Sequence, residues 1–496
     1  RRRVPGVRSD AQLRRTLRGD HRSTVSDAEI GSTVEHLVAD VAERHHCPSI
    51  SWGIVQDGRL ACHGATGLLD NGIAPTADTV YRIASMTKSF TAAAVLLLRD
   101  DGVLSLDDPI TAHAPELSTL GLPTADSPQV TIRHLLSMAS GMATDDAWAD
   151  RHLDISPADL DRALDPGVLY AAAPGTTWEY SNLGYGLLGR VVERATGHPV
   201  QRWVSERLIE PLGMSSTTWV QPSHDDWARP HVGRDGAALA DPMAPLGDGG
   251  IAPMGGIWTS VSDLARWVAW FDDAWPPRDE PDHGPLCRSS RREMQQIQRY
   301  AGIKRLADTD APSGYGFGLL IRDDPALGMV AGHSGGLPGY GSNMRWLPGR
   351  RVGVIALANV TYAPMSELTY RALQTLDAAG HLPESPARST PHVDELGRRL
   401  VELIGAWDDT RAVELFADNV ALDEPFERRR SAAAVLVDEC GGRLEIERIE
   451  ATTATSGTVI VTGSTGESSA SRSIRFEISP LRPGRIQLYE VFPPSP

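Results

Sequence analysis

Ser85-Met86-Thr87-Lys88 leads almost directly into Phe90-Thr91-Ala92-Ala93-Ala94-Val95-Leu96-Leu97-Leu98, and this stretch decides how the chain is read. A run so uniformly apolar does not suit a surface helix; it predicts a helix buried at the centre of a domain, with Gly102 as its stop. Residues three apart share a helix face, which brings the Ser85 hydroxyl within reach of the Lys88 ammonium. Burial disfavours a charged amine and lowers its pKa by as much as roughly 3 to 5 units. A neutral amine beside a hydroxyl is a general base beside a nucleophile. The helix start adds a positive dipole end and free N–H groups that suit a developing oxyanion. Of the 48 lysines and arginines only Lys88 and Lys304 are lysines, so the surface cation of this chain is arginine. A lysine inside an apolar helix then needs a particular reason.

Upstream, Val34, Leu37, Val38 and Val41 recur at helical spacing, and residues 1–25 read as an arginine-rich extension. Ile50 to Val55, a turn at Asp57-Gly58 and Leu60 to His63 predict a hairpin. Downstream, a proline-punctuated helical lobe is expected over about 106–255, with helices at Thr131 to Met138 and Leu183 to Ala195. Ser262 is the expected N-cap of a helix from Asp263 to Phe271. Strand character returns at Met329 to His333, Met344 to Leu347 and Val352 to Leu357, followed by a helix from Pro364 to Leu376. Strands, many helices, strands, helix: that order predicts an α+β domain over 26–381, an antiparallel sheet flanked by helices with the helical lobe inserted. A polar stretch with three prolines, residues 382–391, is the expected linker. Beyond it, residues 392–496 predict a small α+β accessory domain, helical from Val393 to Phe416 and strand-like from Leu444 to Phe492.

Composition narrows the function. A net charge of −16 argues against a nucleic-acid partner, because neutralising phosphates needs a basic face. No apolar run approaches the roughly 18 residues of a membrane span, so no membrane partner is expected either. The four cysteines, Cys47, Cys62, Cys287 and Cys440, are scattered, which fits a reduced compartment and a cytoplasmic location, with an exported and processed form left open. His45-His46-Cys47 has no second cluster at ligand spacing, and neither a metal nor a cofactor is expected. Oligomeric state is left open.

Three short segments then line up: Ser85-Met86-Thr87-Lys88, Tyr180-Ser181-Asn182 about 90 residues on, and His333-Ser334-Gly335-Gly336 before a strand. Their order resembles the penicillin-recognising serine hydrolases, a family that includes class C β-lactamases, D-aminopeptidases and related esterases. His134 to Gly141, Pro211 to Met214 and Gly255 to Ser260 are similar to that family too, and the resemblance covers roughly residues 30 to 380. It implies a β-lactamase-like fold with catalytic Ser85, Lys88 and Tyr180. In that pattern Ser85 attacks a carbonyl, Lys88 takes or relays its proton, and Tyr180, as a phenolate near two cations, serves as base and then returns the proton to the leaving group. Asn182 would hydrogen-bond Lys88 and the substrate amide; His333, Gly335 and Gly336 would hold substrate, with the Ser85 and Gly336 N–H groups as the oxyanion hole.

His333 departs from the pattern. β-Lactamases and carboxypeptidases usually have lysine here, a fixed charge for the substrate carboxylate, whereas histidine is largely neutral near pH 7. The expected substrate is therefore a small ester or amide, D-amino-acid peptides among them, rather than a β-lactam. An acyltransferase or peptide-cyclising thioesterase with the same acyl-enzyme remains an alternative, as does a sensor that acylates once. Gly332-His333-Ser334-Gly335-Gly336 also fits the G-x-S-x-G nucleophile elbow, but Leu337-Pro338-Gly339-Tyr340-Gly341 forbids the helix that elbow needs.

Overall fold

A computed structural model describes residues 27–383, 391–465 and 468–492. The expected extension over residues 1–25 and most of the expected linker lie outside the described residues. The chain divides into two compact units, Arg1–Pro383 and Glu384–Pro496.

The first unit opens with helix α1 (Asp27–Arg44), whose Ile30, Val34, Val38 and Val41 are buried in one stripe. The expected hairpin follows as β1 (Ser49–Gln56) and β2 (Arg59–Gly67). After a short 3₁₀ turn at Ala84–Met86 comes α2 (Thr87–Asp100), in which every residue from Thr87 to Leu98 is buried. Phe90 stacks on Trp267 with centroids 3.8 Å apart, pinning this helix to the later helix that carries Trp267. Replacing Phe90 with alanine should cost about 3 to 5 kcal/mol, because the rigid surroundings cannot close the cavity. A denaturant-unfolding midpoint would measure it.

Short helices follow, the longest being α3 (Asn182–Thr196), capped by Ser181 and stopped by Gly197 in the left-handed region. Helix α4 (Val261–Asp272) starts earlier than the sequence suggests: Ser260, not Ser262, is its N-cap, accepting from the Asp263 N–H. Strands β3 (Arg299–Leu306), β4 (Thr309–Tyr315), β5 (Leu320–Asp324), β6 (Gly328–Leu337), β7 (Tyr340–Leu347) and β8 (Val352–Ala358) come next, then helix α5 (Met365–Ala378). They form one antiparallel sheet of eight strands in the order β2-β1-β8-β7-β6-β5-β4-β3. Closing β1 onto β8 pairs Ile50 with Ala358 and Gln56 with Val352, so the two ends of this unit's sequence complete one sheet. One face carries α1 and α5; the other carries the larger core built around α2 and α4.

Two details of this sheet shape the site. Strand β6 pairs with β5 only from Gly328 to Gly332, while its pairing with β7 continues to Leu337. Its segment from His333 onward thus has an edge free of β5. Gly335 lies so close to the turn before Ser85 that an added Cβ would sit 2.1 Å from the Ile83 carbonyl oxygen and 2.2 Å from Ser342 Oγ.

In the second unit, the expected single helix is two: α6 (Pro391–Gly405) and α7 (Asp409–Leu415), the second capped by Asp408. Helix α8 (Phe426–Glu439) precedes the antiparallel strands β9 (Glu445–Thr453), β10 (Ser456–Thr465), β11 (Ser468–Ile478) and β12 (Ile486–Phe492), paired in chain order. This unit has its own core, with Leu400, Val459, Ile474 and Phe476 fully buried. The architecture is mixed α+β: a large antiparallel sheet flanked by helices, plus a separate smaller α+β sheet.

Candidate active site

The turn before α2 is set by Ala84, whose φ of 50° lies in the left-handed region that a β-carbon disfavours. Such a conformation costs on the order of 1 kcal/mol or more and persists where the surroundings dictate it. Here Ile83 is held on one side by its N–H donating to Ile257 and on the other by Ser342 Oγ donating to its carbonyl. Ser85 emerges from this clamp half-buried, at the wall of a cavity of about 690 Å³.

Lys88 lies one turn inward, fully buried. Its Nζ is 2.9 Å from Ser85 Oγ, 2.7 Å from Asn182 Oδ1 and 2.9 Å from the Met254 carbonyl oxygen. The last two partners can only accept. Asn182 is oriented by its other end, where Nδ2 donates to Asp146 Oδ1 at 2.7 Å, and by Asp145, which accepts from the Asn182 and Leu183 N–H groups at the start of α3. These partners can take the three N–H bonds of an ammonium, or two N–H bonds of a neutral amine whose lone pair accepts from the Ser85 hydroxyl, so burial decides between the two forms. Desolvation pulls the Lys88 pKa down to about 7, against the opposing pull of Asp150, Asp146 and Asp145.

Tyr180 stands over the same pair. Its ring centroid is 5.0 Å from Lys88 Nζ, and its phenol hydrogen-bonds Ser85. Burial pushes that phenol well above its ordinary value of 10, so Tyr180 carries its proton throughout the neutral range. The two cations that would favour a phenolate are not both there. His333 is nearly inaccessible, and burial together with the Lys88 charge pushes its pKa down to about 3. Its Nδ1 lies 2.6 Å from the Ser334 carbonyl, which can only accept, so Nδ1 holds the proton. Nε2 therefore accepts from the Tyr315 hydroxyl at 2.9 Å. A neutral imidazole with both nitrogens engaged offers no fixed charge.

Ser85, Tyr180, His333, Gly335 and Gly336 all line the one cavity, with Lys88 directly beneath Ser85. Asn182 does not reach the cavity wall; it is fully buried behind Lys88. Ser334 sits within β6, where its hydroxyl accepts from Asn343 Nδ2, and no helix follows it. Several wall residues had no signal in the motifs: Asp146, Asp150, Leu320 and Tyr362. Tyr362 donates to Asp150 at 2.8 Å, and burial raises Asp150 to about 6. Among the described residues no group of three or more histidine, cysteine or acidic side chains is placed to hold a metal, and no helix is long and apolar enough to cross a membrane.

Residues 34–378 match the family model described as Beta-lactamase. Esterase EstB of Burkholderia gladioli is 33% identical over 356 residues, spanning 63% of this chain and 86% of that protein. Protein flp of Staphylococcus aureus strain MW2 is 26% identical over 352 residues, spanning 68% of this chain and 64% of that protein. In fold, the chain is similar to the octameric penicillin-binding protein homologue from Pyrococcus abyssi, with a TM-score of 0.60 at 21% identity, covering 94% of this chain and 97% of that one.

Proposed function

The chain belongs to the beta-lactamase family, whose members work through a covalent serine-based mechanism, and from that premise we propose that it is an esterase-type hydrolase acylated on Ser85. The observation that carries this reading is the Lys88 cage. Full burial of this amine, 2.9 Å from Ser85 Oγ and with no carboxylate among its hydrogen-bond partners, favours the uncharged form, which is the form able to take a proton.

The steps follow. Ser85 Oγ attacks the substrate carbonyl carbon as its proton passes to Lys88 Nζ, and the carbonyl oxygen becomes an oxyanion that the Ser85 and Gly336 N–H groups would bind. Such donors are worth about 3 to 4 kcal/mol of barrier each. Collapse breaks the bond to the leaving group, which takes up the proton delivered through the Tyr180 phenol from Lys88. Water then attacks the acyl-enzyme along the same path in reverse, releasing the acid and restoring the Ser85 hydroxyl. In this reading Tyr180 acts as a neutral relay rather than a phenolate base. Asn182 holds the Lys88 amine in place, and Gly335 lets β6 approach the nucleophile.

Esters and simple amides fit better than β-lactams, because His333 supplies no cation beside the reacting carbonyl. A relative carrying the name esterase, at 33% identity, points the same way. The test is a panel of p-nitrophenyl esters, D-amino-acid amides and nitrocefin, followed by rate and by mass of the trapped adduct. Esters should turn over fastest, and the adduct should map to the peptide containing Ser85. An adduct on Ser334, or nitrocefin as the best substrate, would overturn the proposal.

Tyr180→Phe separates relay from base. Its kcat/KM should fall by roughly 10²-fold, the lower range for a lost proton-transfer group, while the acid limb of the pH profile keeps its midpoint. A limb that vanished with the phenol would assign the titrating base to Tyr180 instead.

A further inference from the structure

The second lysine, Lys304, lines a separate cavity of about 350 Å³ on the far side of His333. This cavity and the one at Ser85 share Trp178, Leu320, His333, Ser334 and Ser366, so they adjoin along the free edge of β6. Its lining is largely apolar, with three cations set into it. Lys304 Nζ sits 5.1 Å from the Trp178 ring centroid, Arg322 lies deeper, and Arg345 of β7 closes the back.

Arg345 is the unusual member. It is only 9% exposed, yet no carboxylate among the described residues lies within ion-pairing distance of it. Its one hydrogen bond is a long 3.4 Å contact from Nη2 to the Ser366 carbonyl, its Nε has no partner, and its guanidinium lies 5.5 Å from the Tyr370 ring centroid. The nearby carboxylate, Asp324, is taken: it pairs with Arg322 Nε at 3.1 Å and accepts from the Tyr370 hydroxyl. Two buried guanidiniums thus face one carboxylate, with an ammonium at the entrance. A buried cation without a carboxylate partner favours any anion that can reach it. On the opposite side, the Ser85 cavity is walled by Asp146 and Asp150, which would repel the anion that Arg345 attracts.

We propose that this cavity is an anion-binding subsite, in which Arg345 and Lys304 receive a carboxylate at the far end of the substrate's acyl chain. The favoured substrates are then half-esters of straight-chain dicarboxylic acids, cleaved at the ester end. This rests on the hydrolase reading of Ser85 and adds the substrate class. It differs from a charge beside the reacting carbonyl: His333 stays neutral there, and the cations stand one cavity further on. Planar Arg345 suits a carboxylate because its fork can donate two parallel hydrogen bonds.

Mono-p-nitrophenyl esters of adipate, pimelate and suberate test it, each against its methyl-capped counterpart. At one chain length or more, kcat/KM should favour the free carboxylate by about tenfold or more, the value of a charge-assisted hydrogen bond to a buried cation. Arg345→Gln should cut that ratio by about tenfold, and the exposed Lys304→Gln by about threefold without disturbing the fold. In parallel, suberate is titrated calorimetrically into Ser85→Ala and into Ser85→Ala/Arg345→Gln protein; binding should be present in the first and lost in the second. A wild-type ratio near one at every length, with no suberate binding, overturns the subsite while leaving the hydrolase intact. Suberate binding without cleavage of any ester would instead remove the hydrolase and leave the subsite standing. Should Arg345→Gln fail to fold by circular dichroism, the wild-type ratio, the Lys304→Gln ratio and suberate binding to Ser85→Ala decide alone.

Discussion

Ser85→Ala should lower kcat/KM on a p-nitrophenyl ester by about four orders of magnitude or more and abolish the covalent adduct seen by intact mass. Losses of this size follow removal of a nucleophile in serine hydrolases, where only binding and oxyanion stabilisation remain. The variant should fold normally, since Ser85 is half-buried and its hydroxyl contacts only Lys88 and Tyr180 among the hydrogen bonds described. Retained turnover in a well-folded Ser85→Ala protein would remove the acyl-enzyme mechanism. Retained turnover with an adduct on another serine would relocate it.

Lys88→Ala carries the second large effect, a loss of roughly 10³-fold within the range for a general base. The pH profile makes the test specific. Activity needs the uncharged amine, and burial lowers the Lys88 pKa to about 7. In the wild type kcat/KM should therefore rise with pH through about 7 and then stay level, since the Tyr180 phenol holds its proton well above that. In Lys88→Ala the residual rate should lose this limb. A wild-type limb near pH 4 would point to a carboxylate instead, and one near pH 10 would mean an ordinary solvated lysine. The need for an uncharged base also explains why arginine could not serve at position 88, although it is the usual cation of this chain: a guanidinium does not give up its proton in proteins.

Most of the first unit could be read because its elements bury whole faces. The α2 run is apolar because all sides of the helix are enclosed, and β8, Val352–Ala358, is entirely buried and reads as a continuous apolar segment. Strands β3 to β5 gave no such signal. Arg299–Leu306 is largely solvent-facing, and Thr309–Tyr315 carries Pro312, which ordinarily argues against a strand but is tolerated near a sheet edge. The second cavity, which these strands help to wall, has no signature in the sequence for the same reason. The helix expected from Val393 to Phe416 breaks because Trp407 and Asp408 leave the helical ladder after its last bond, Ala406 N–H to the Glu402 carbonyl, and Asp408 caps a new start, an alternative that local helical periodicity does not reveal. Ser260 and Ser262 are alike in the same way: both are serines just ahead of an apolar run, and only the backbone decides that Ser260 is the extended one that caps.

What the sequence determined alone was the buried helix with its serine and lysine, because apolar periodicity is a local quantity, and the order of the three motifs that carry the resemblance to the family. Tertiary structure alone decided the protonation of Lys88, Tyr180 and His333, the withdrawal of Asn182 from the cavity wall, and the lack of a carboxylate partner for Arg345. Each of these depends on what lies opposite a side chain and on how much water is excluded, and those neighbours come from segments up to hundreds of residues apart.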